Sequence, residues 1–323
     1  MSAAELRRLL DGFRASQVIH AAAALGLADL VGDESPTSDE LAAATEADPR
    51  TLYRLLRALA ALGVFHEQPG ERFRLTEFGR PLRTDAADSV GGWAVLIGRP
   101  YYRDAWTHLV EAVRTGENAF RLAYGTDVWE YRAQHPEEGA IFDRAMASSS
   151  RLVIESLLTA YDFGRFGTIV DVGGGNGALL RALLAEHPRL RGVLFDQPHV
   201  VEGVDLGSRC DVVGGSFFDA VPDGGDAYVL KWIIHDWEDE ESRAILRTIR
   251  RTGGTVLVIE RLLGAPNENP VSKLSDINML VGPGGRERTL EEFAALFEAA
   301  GYSLVRTTPT ASGMHVLEGA APD

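Results

Sequence analysis

The run Thr168-Ile169-Val170-Asp171-Val172 followed by Gly173-Gly174-Gly175-Asn176-Gly177 constrains this chain more than any other stretch. The first five residues are a short apolar run that reads as a strand. Ala178 to Glu186 then reads as a helix. A strand, a tight glycine turn and a helix N-terminus together make a nucleotide-binding corner. Glycine lets the backbone approach a ligand with no Cβ in the way.

The pattern continues beyond this corner. Arg191 to Phe195 reads as a second strand ending at Asp196. About 20 residues past the first glycine, a carboxylate suits the hydroxyls of a ribose. Further strands are expected over Asp211 to Val213, Asp226 to Ile233, Gly254 to Ile259, Tyr302 to Thr307 and Met314 to Leu317. The last two are close enough for an antiparallel hairpin at the sheet edge. Strands alternating with helices predict an α/β fold, a doubly wound, seven-stranded, mostly parallel sheet. The glycine spacing alone leaves two cofactors open. Gly173-x-Gly175-x-x-Ala178 fits a dinucleotide fingerprint, and Gly173-x-Gly175-x-Gly177 fits the loop of S-adenosylmethionine enzymes.

The first third reads differently. Leu6, Leu9, Leu10, Phe13, Val18, Ala21, Ala22, Leu25 and Leu27 recur near the helical period. Thr37-Ser38-Asp39-Glu40 fits a capping box, and Asp48-Pro49 a helix start. A helix over Thr51 to Leu62 precedes two short strands flanking Gln68-Pro69-Gly70-Glu71. Two short helices and a hairpin make a winged-helix pattern, placed in a domain over 1–100. Connecting helices and a cofactor-binding domain take 101–323, in line with roughly 150 residues per domain.

Composition narrows the partners. In 323 residues, 47 acidic against 32 basic side chains give a net charge of −15. A nucleic-acid partner needs a basic face to displace counterions, so none is expected. The most apolar stretch, Val18 to Val31, carries His20 and Asp29 and is too short to span a bilayer. A single cysteine, Cys210, excludes an intrachain disulfide framework and points to the cytosol.

The chemistry concentrates in Leu230-Lys231-Trp232-Ile233-Ile234-His235-Asp236-Trp237. Ligands of such sheets lie beyond the carboxyl ends of the strands, so His235 falls on the ligand side. Glu260 ends the next strand at the same edge, and Glu287 follows in Gly284-Gly285-Arg286-Glu287-Arg288-Thr289. Ion pairs with Arg261 or Arg288 are the bland alternative for these acids. Asp236 is expected to cap the following helix, and the acidic run Glu238 to Glu241 to suit its dipole, with no metal.

Together with Phe195-Asp196-Gln197-Pro198-His199 and the segment Phe142 to Met146, these motifs resemble the S-adenosylmethionine-dependent O-methyltransferases of the plant caffeate and bacterial antibiotic-tailoring type. The likeness covers nearly the whole chain. It implies a class I methyltransferase fold with a winged-helix-like dimerisation domain, hence a homodimer, and a small aromatic acceptor. It implies that His235 is the general base and that Glu260 and Glu287 are its flanking acids. Gly173, Gly175, Asp196, Ser216, Phe217, Lys231, Met146 and Ser150 match cofactor positions. Phe142, Met146, Asn278 and Met279 match acceptor positions. Ser216 departs from the acidic residue usual beside the adenine, and the loop Met279 to Glu287 is shorter than in plant members. A base with an ordinary histidine pKa would be mostly neutral at pH 7. The alternatives are a C- or N-methyltransferase, a nicotinamide-dependent oxidoreductase, and a winged-helix ligand-sensing regulator.

Overall fold

The computed structural model describes residues 2–321. The chain forms two compact units, Met1–Arg103 with Pro136–Leu152, and Asp104–His135 with Val153–Asp323. The segment Pro136–Leu152 therefore groups with the first unit, although the sequence division at residue 100 places it in the second.

In the first unit, helices span Ala3–Ala24, Leu27–Val31, Ser38–Thr45 and Pro49–Ala61. Thr37 and Glu40 form the expected reciprocal capping box. The Asp48 side chain accepts from the Thr51 N–H, and Pro49 sits in the first turn, where a missing N–H costs nothing. Strands β1 (Phe65–Gln68) and β2 (Arg72–Leu75) pair antiparallel. Leu52, Leu56 and Leu59 make one stripe of the preceding helix and are buried with Phe65 and Phe73. The first helix behaves otherwise. Its Leu6, Leu9, Leu10 and Phe13 are 56%, 69%, 72% and 63% exposed, so an apolar stripe stays uncovered.

The second unit holds a seven-stranded sheet. Its strands are β3 (Thr168–Val172), β4 (Arg191–Asp196), β5 (Cys210–Gly214), β6 (Ala227–Lys231), β7 (Thr255–Arg261), β8 (Ser303–Pro309) and β9 (Met314–Ala320). The order is β5-β4-β3-β6-β7-β9-β8. The first five are parallel, and β9 runs antiparallel between β7 and β8. The edge hairpin read from the sequence is thus present. Alternate side chains build a core on each face, one around Ile169, Val229, Leu257 and Val316, the other around Val170, Tyr228, Val258 and Leu317. Burial on both faces explains why β3, β6 and β7 read as continuous apolar runs. The strand order reverses between β3 and β6, which opens a crevice at their carboxyl ends.

The strand expected over Asp226 to Ile233 stops at Lys231. Trp232 has φ of 58°, a left-handed conformation that breaks the ladder. Among the described residues, no helix is long and apolar enough to cross a membrane.

Candidate active site

The glycine corner builds one half of the site. The Gly173 N–H donates to the Phe195 carbonyl at 2.8 Å, closing β3 onto β4. Asp196 Oδ2 accepts from the Gly175 N–H at 2.8 Å, and its Oδ1 accepts from the Gln197 N–H at 2.7 Å. Burial nevertheless raises the Asp196 carboxyl above its ordinary range, because those two bonds only partly offset desolvation. Gly175 has φ of 60°, and a Cβ there would meet nothing within 4 Å, so this side of the loop is open. A Cβ on Gly173 would lie 2.4 Å from Ile233 Cδ1, which ties the loop to the segment carrying His235.

Beneath the loop, Asp171 is buried and pushed up to about 6 by desolvation, partly countered by Lys231. Its Oδ2 has no hydrogen-bond partner. Lys231, at the end of β6, is pushed down to about 8 by burial, against the pull of Asp171 and Glu260. Its Nζ stands 4.2 Å from the centre of the Trp232 ring. Ser216 accepts from the Phe218 N–H at 3.2 Å. Phe217, Phe218 and Trp237 pack edge to face beside it. An open glycine face, a buried acceptor oxygen without a donor, a carboxylate at the end of β4 and an aromatic wall fit a nucleoside with a cationic tail.

The other half forms around His235, in a single 3-10 turn, Ile234–Asp236. Its Nδ1 lies 3.2 Å from Glu287 Oε1 and 3.4 Å from Glu260 Oε2. Both acids are fully buried. Glu260 has a second duty, because its Oε1 accepts from the backbone N–H groups of Ile233 and His235 at 3.1 and 3.2 Å. Glu287 Oε1 also accepts from the Ser275 hydroxyl at 2.6 Å, and its own N–H donates to Asp276 Oδ1 at 2.9 Å. Left-handed backbone at a bulky residue costs about 1–3 kcal/mol and persists only when the surroundings hold it. Trp232 is such a residue, and the Glu260 bonds are part of what holds it.

Two expectations need correction. Asp236 does not cap the next helix. That helix spans Asp239–Arg250 with Glu238 at its cap, and the Asp236 carboxylate instead lies 3.6 Å from His235 Nε2. Nor is the imidazole an ordinary one. Burial alone would lower its pKa, but Glu260, Asp236 and Glu287 outweigh that and push it up to about 10. Burial raises Glu260 to about 7 and Asp236 to about 6. Burial also acts on Glu287, but the hydrogen bonds from His235 and Ser275 hold it below the usual carboxylate range. The cluster at pH 7 is therefore an imidazolium among shared carboxylates. The ligand atoms of His235, Glu260 and Glu287 lie within 4.8 Å of one another, and in the direct His235–Glu287 bond they already serve each other.

Met279 and Asn278 lie on the helix Pro270–Val281, Met279 buried and Asn278 half-buried. That helix end is fixed by Asn118, whose amide donates to the Leu280 and Gly282 carbonyls at 2.7 and 3.1 Å. Phe142, Met146 and Ser150 lie on the helix Pro136–Ala160, within the part belonging to the first unit. Sequence reasoning missed Ser275, Asp276, Asn118 and the closeness of Asp236. No periodicity marks a lone serine that serves a carboxylate twelve residues away. Gly284-Gly285 did carry a signal, since a Cβ on Gly285 would lie 2.3 Å from the backbone of the His235 turn.

A doubly wound sheet, with a glycine corner at its switch point and an acid-flanked histidine beside it, defines an α/β protein built to hold a nucleoside-type cofactor next to an acid–base group. Family models agree. An O-methyltransferase domain matches residues 106–303, and an O-methyltransferase dimerisation domain matches residues 7–85. The chain is 41% identical to the phenazine O-methyltransferase of Lysobacter antibioticus, with 97% of this chain and 94% of the relative covered. It is 40% identical to the O-demethylpuromycin-O-methyltransferase of Streptomyces alboniger, covering 97% and 87%. An O-methyltransferase from neocarzinostatin biosynthesis was solved with S-adenosylhomocysteine and 1,4-dihydroxy-2-naphthoic acid. It superposes with a TM-score of 0.83 at 34% identity over 100% of both chains. The chain belongs to the S-adenosylmethionine-dependent O-methyltransferase family, and S-adenosylmethionine is its cofactor.

Proposed function

We propose that this enzyme methylates a hydroxyl on a small, planar aromatic acceptor of secondary metabolism, with His235 taking up the hydroxyl proton. The observation that carries the reading is the buried imidazole at the carboxyl edge of β6, with Nδ1 held by Glu287 and Glu260. With Nδ1 engaged by those two acids, Nε2, 3.6 Å from Asp236 Oδ1, is the nitrogen that exchanges a proton with the acceptor once the ring is neutral. The matched relatives named for phenazine and demethylpuromycin O-methylation, and the naphthoate-bound neighbour, support an aromatic hydroxyl.

When bound, the cofactor supplies an electrophilic methyl group on a sulfonium sulfur. The chain's residues must deliver an oxygen nucleophile to it. A phenol with pKa near 10 is mostly protonated at pH 7. The three acids raise the imidazole above its ordinary range, which makes it a stronger base toward such a phenol. Glu287 and Glu260 hold the ring and stabilise the imidazolium, the orienting role of the acid in a catalytic triad. Base catalysis of this kind contributes about 10²–10⁴-fold, and orientation of the two reactants roughly 7–11 kcal/mol. The raised pKa has a consequence for choice of acceptor. An acidic hydroxyl enters as an anion and pairs with the imidazolium directly, whereas an ordinary phenol requires the site to lose one proton first.

In this reading Asp196 binds the ribose, Gly173 and Gly175 flank the methionine portion, and Lys231, Ser216 and Phe217 lie beside the adenine. Asn278 and Met279 are acceptor positions, and Phe142, Met146 and Ser150 keep the acceptor and methyl-donor roles that the family resemblance implies. The matched dimerisation domain and the exposed apolar stripe of the first helix support a homodimer. The lone cysteine supports a cytosolic enzyme. The test is methyl transfer from S-adenosylmethionine to a panel of phenols, anilines and carbon nucleophiles spanning a range of acidities. Turnover of hydroxyls, best among the acidic ones, is expected. Transfer only to nitrogen or carbon would overturn the oxygen assignment.

A further inference from the structure

Among the described residues, Arg288 is the largest of the fully buried side chains, 1% exposed, and it follows Glu287 directly. Its guanidinium donates to the Ile234 carbonyl at 3.1 Å and to the Trp237 carbonyl at 2.8 Å. These two carbonyls bracket His235. The same group reaches Asp239 Oδ1 from Nε at 3.1 Å and from Nη2 at 2.8 Å, the Ser242 hydroxyl at 3.3 Å and the Arg286 carbonyl at 3.3 Å.

The turn is thus gripped from both sides. Glu260 takes its N–H groups at Ile233 and His235, and Arg288 takes its carbonyls at Ile234 and Trp237. The Ser242 hydroxyl, itself bonded to the guanidinium, also reaches the Ile234 and Trp237 carbonyls at 3.3 Å each, and the turn bonds to itself from the Asp236 N–H to the Ile233 carbonyl and from the Trp237 N–H to the Ile234 carbonyl. It begins at the left-handed Trp232, so its shape is one that the chain alone would relax. A guanidinium presents donors in a rigid planar fork, and two carbonyls three residues apart are set relative to one another when both bind it. An ammonium has no such fork. Because Glu287 and Arg288 are consecutive, one segment delivers both the acid on the ring and the clamp on the ring's backbone.

We propose that Arg288 is a positioning residue for methyl transfer: it fixes the carbonyl side of the His235 turn and so keeps the imidazole in register with Glu287 and Glu260. The proposal rests on the reading of His235 as proton acceptor. A purely structural role would lower stability and leave the imidazole of the folded protein unchanged. A positioning role also moves the imidazole's titration.

The experiment compares Arg288→Lys and Asp239→Asn with the unaltered full-length enzyme. Asp239 has a side chain 44% exposed, so its variant keeps the core intact while loosening the guanidinium. The readouts are kcat, acceptor KM, cofactor affinity by calorimetry, and the His235 pKa from a histidine-selective NMR titration, assigned with His235→Gln. For Arg288→Lys, kcat should fall at least about tenfold while KM and cofactor affinity change by less than about threefold. The His235 pKa should drop by roughly one unit as the ring moves off its carboxylates. Asp239→Asn should shift both in the same direction by less, and it decides alone if Arg288→Lys does not fold. Folded variants with unchanged kcat and unchanged His235 pKa overturn the proposal, whatever happens to melting temperature. If His235→Gln keeps full turnover, the base assignment fails instead, and the NMR shift still reports on the clamp.

Discussion

Replacing Glu287 by Gln keeps the size of the side chain and removes its charge. Glu287 Oε1 accepts a hydrogen bond from His235 Nδ1 at 3.2 Å inside a site where both acids are fully buried. A hydrogen bond to a charged group contributes about 1.5–3 kcal/mol. Gln keeps a neutral acceptor oxygen, so what is lost is the charge assistance, about 1–1.5 kcal/mol, which at 1.36 kcal/mol per unit lowers the imidazole's pKa by roughly one unit from its raised value. The same energy, removed from the imidazolium that forms as the acceptor loses its proton, slows the proton-coupled step about 5–13-fold. The two effects oppose each other at pH 7, because a lower pKa frees more neutral imidazole while making it a weaker base. The assay must therefore be a full pH–rate profile with an acceptor of ordinary phenol acidity. In the unaltered enzyme the imidazolium has to shed a proton, so the rate should rise with pH toward about 10. In Glu287→Gln the rising limb should move to lower pH and its plateau should fall. A limb that stays in place would show that the titrating group is not His235 or that Glu287 does not govern it.

Three other outcomes are expected. His235→Gln should slow methyl transfer at least about 10²-fold with cofactor affinity nearly unchanged, as single-turnover kinetics and calorimetry will show. Asp196→Ala should weaken cofactor binding by about 1.5–3 kcal/mol for each charged hydrogen bond lost, and unaltered affinity by calorimetry would refute the ribose assignment. Replacing Leu9 and Phe13, exposed at 69% and 63%, with Glu should lower the sedimentation mass to that of a monomer without lowering the melting temperature; a dimer that survives would place the interface elsewhere.

The sheet was legible because its strands are local signals. Runs such as Val256 to Ile259 are buried on both faces and so carry unbroken apolar sequence. The glycine corner was legible because φ values of 71° and 60° at Gly173 and Gly175 leave few residue types for those positions. The winged-helix-like pattern was equally local, written in Thr37, Glu40, Asp48 and Pro49.

The state of the site was not local. Asp236 follows His235 in sequence, and a helix cap was the reasonable expectation; only the fold brings its carboxylate within 3.6 Å of Nε2. An imidazole raised to about 10 arises from three acids on separate segments, at positions 236, 260 and 287, gathered where water cannot screen them. Sequence alone determined which groups this protein has for chemistry and at which sheet edge they emerge. Tertiary structure decided the distances among them, and charge interactions in a dry site depend on distance and burial more than on residue type.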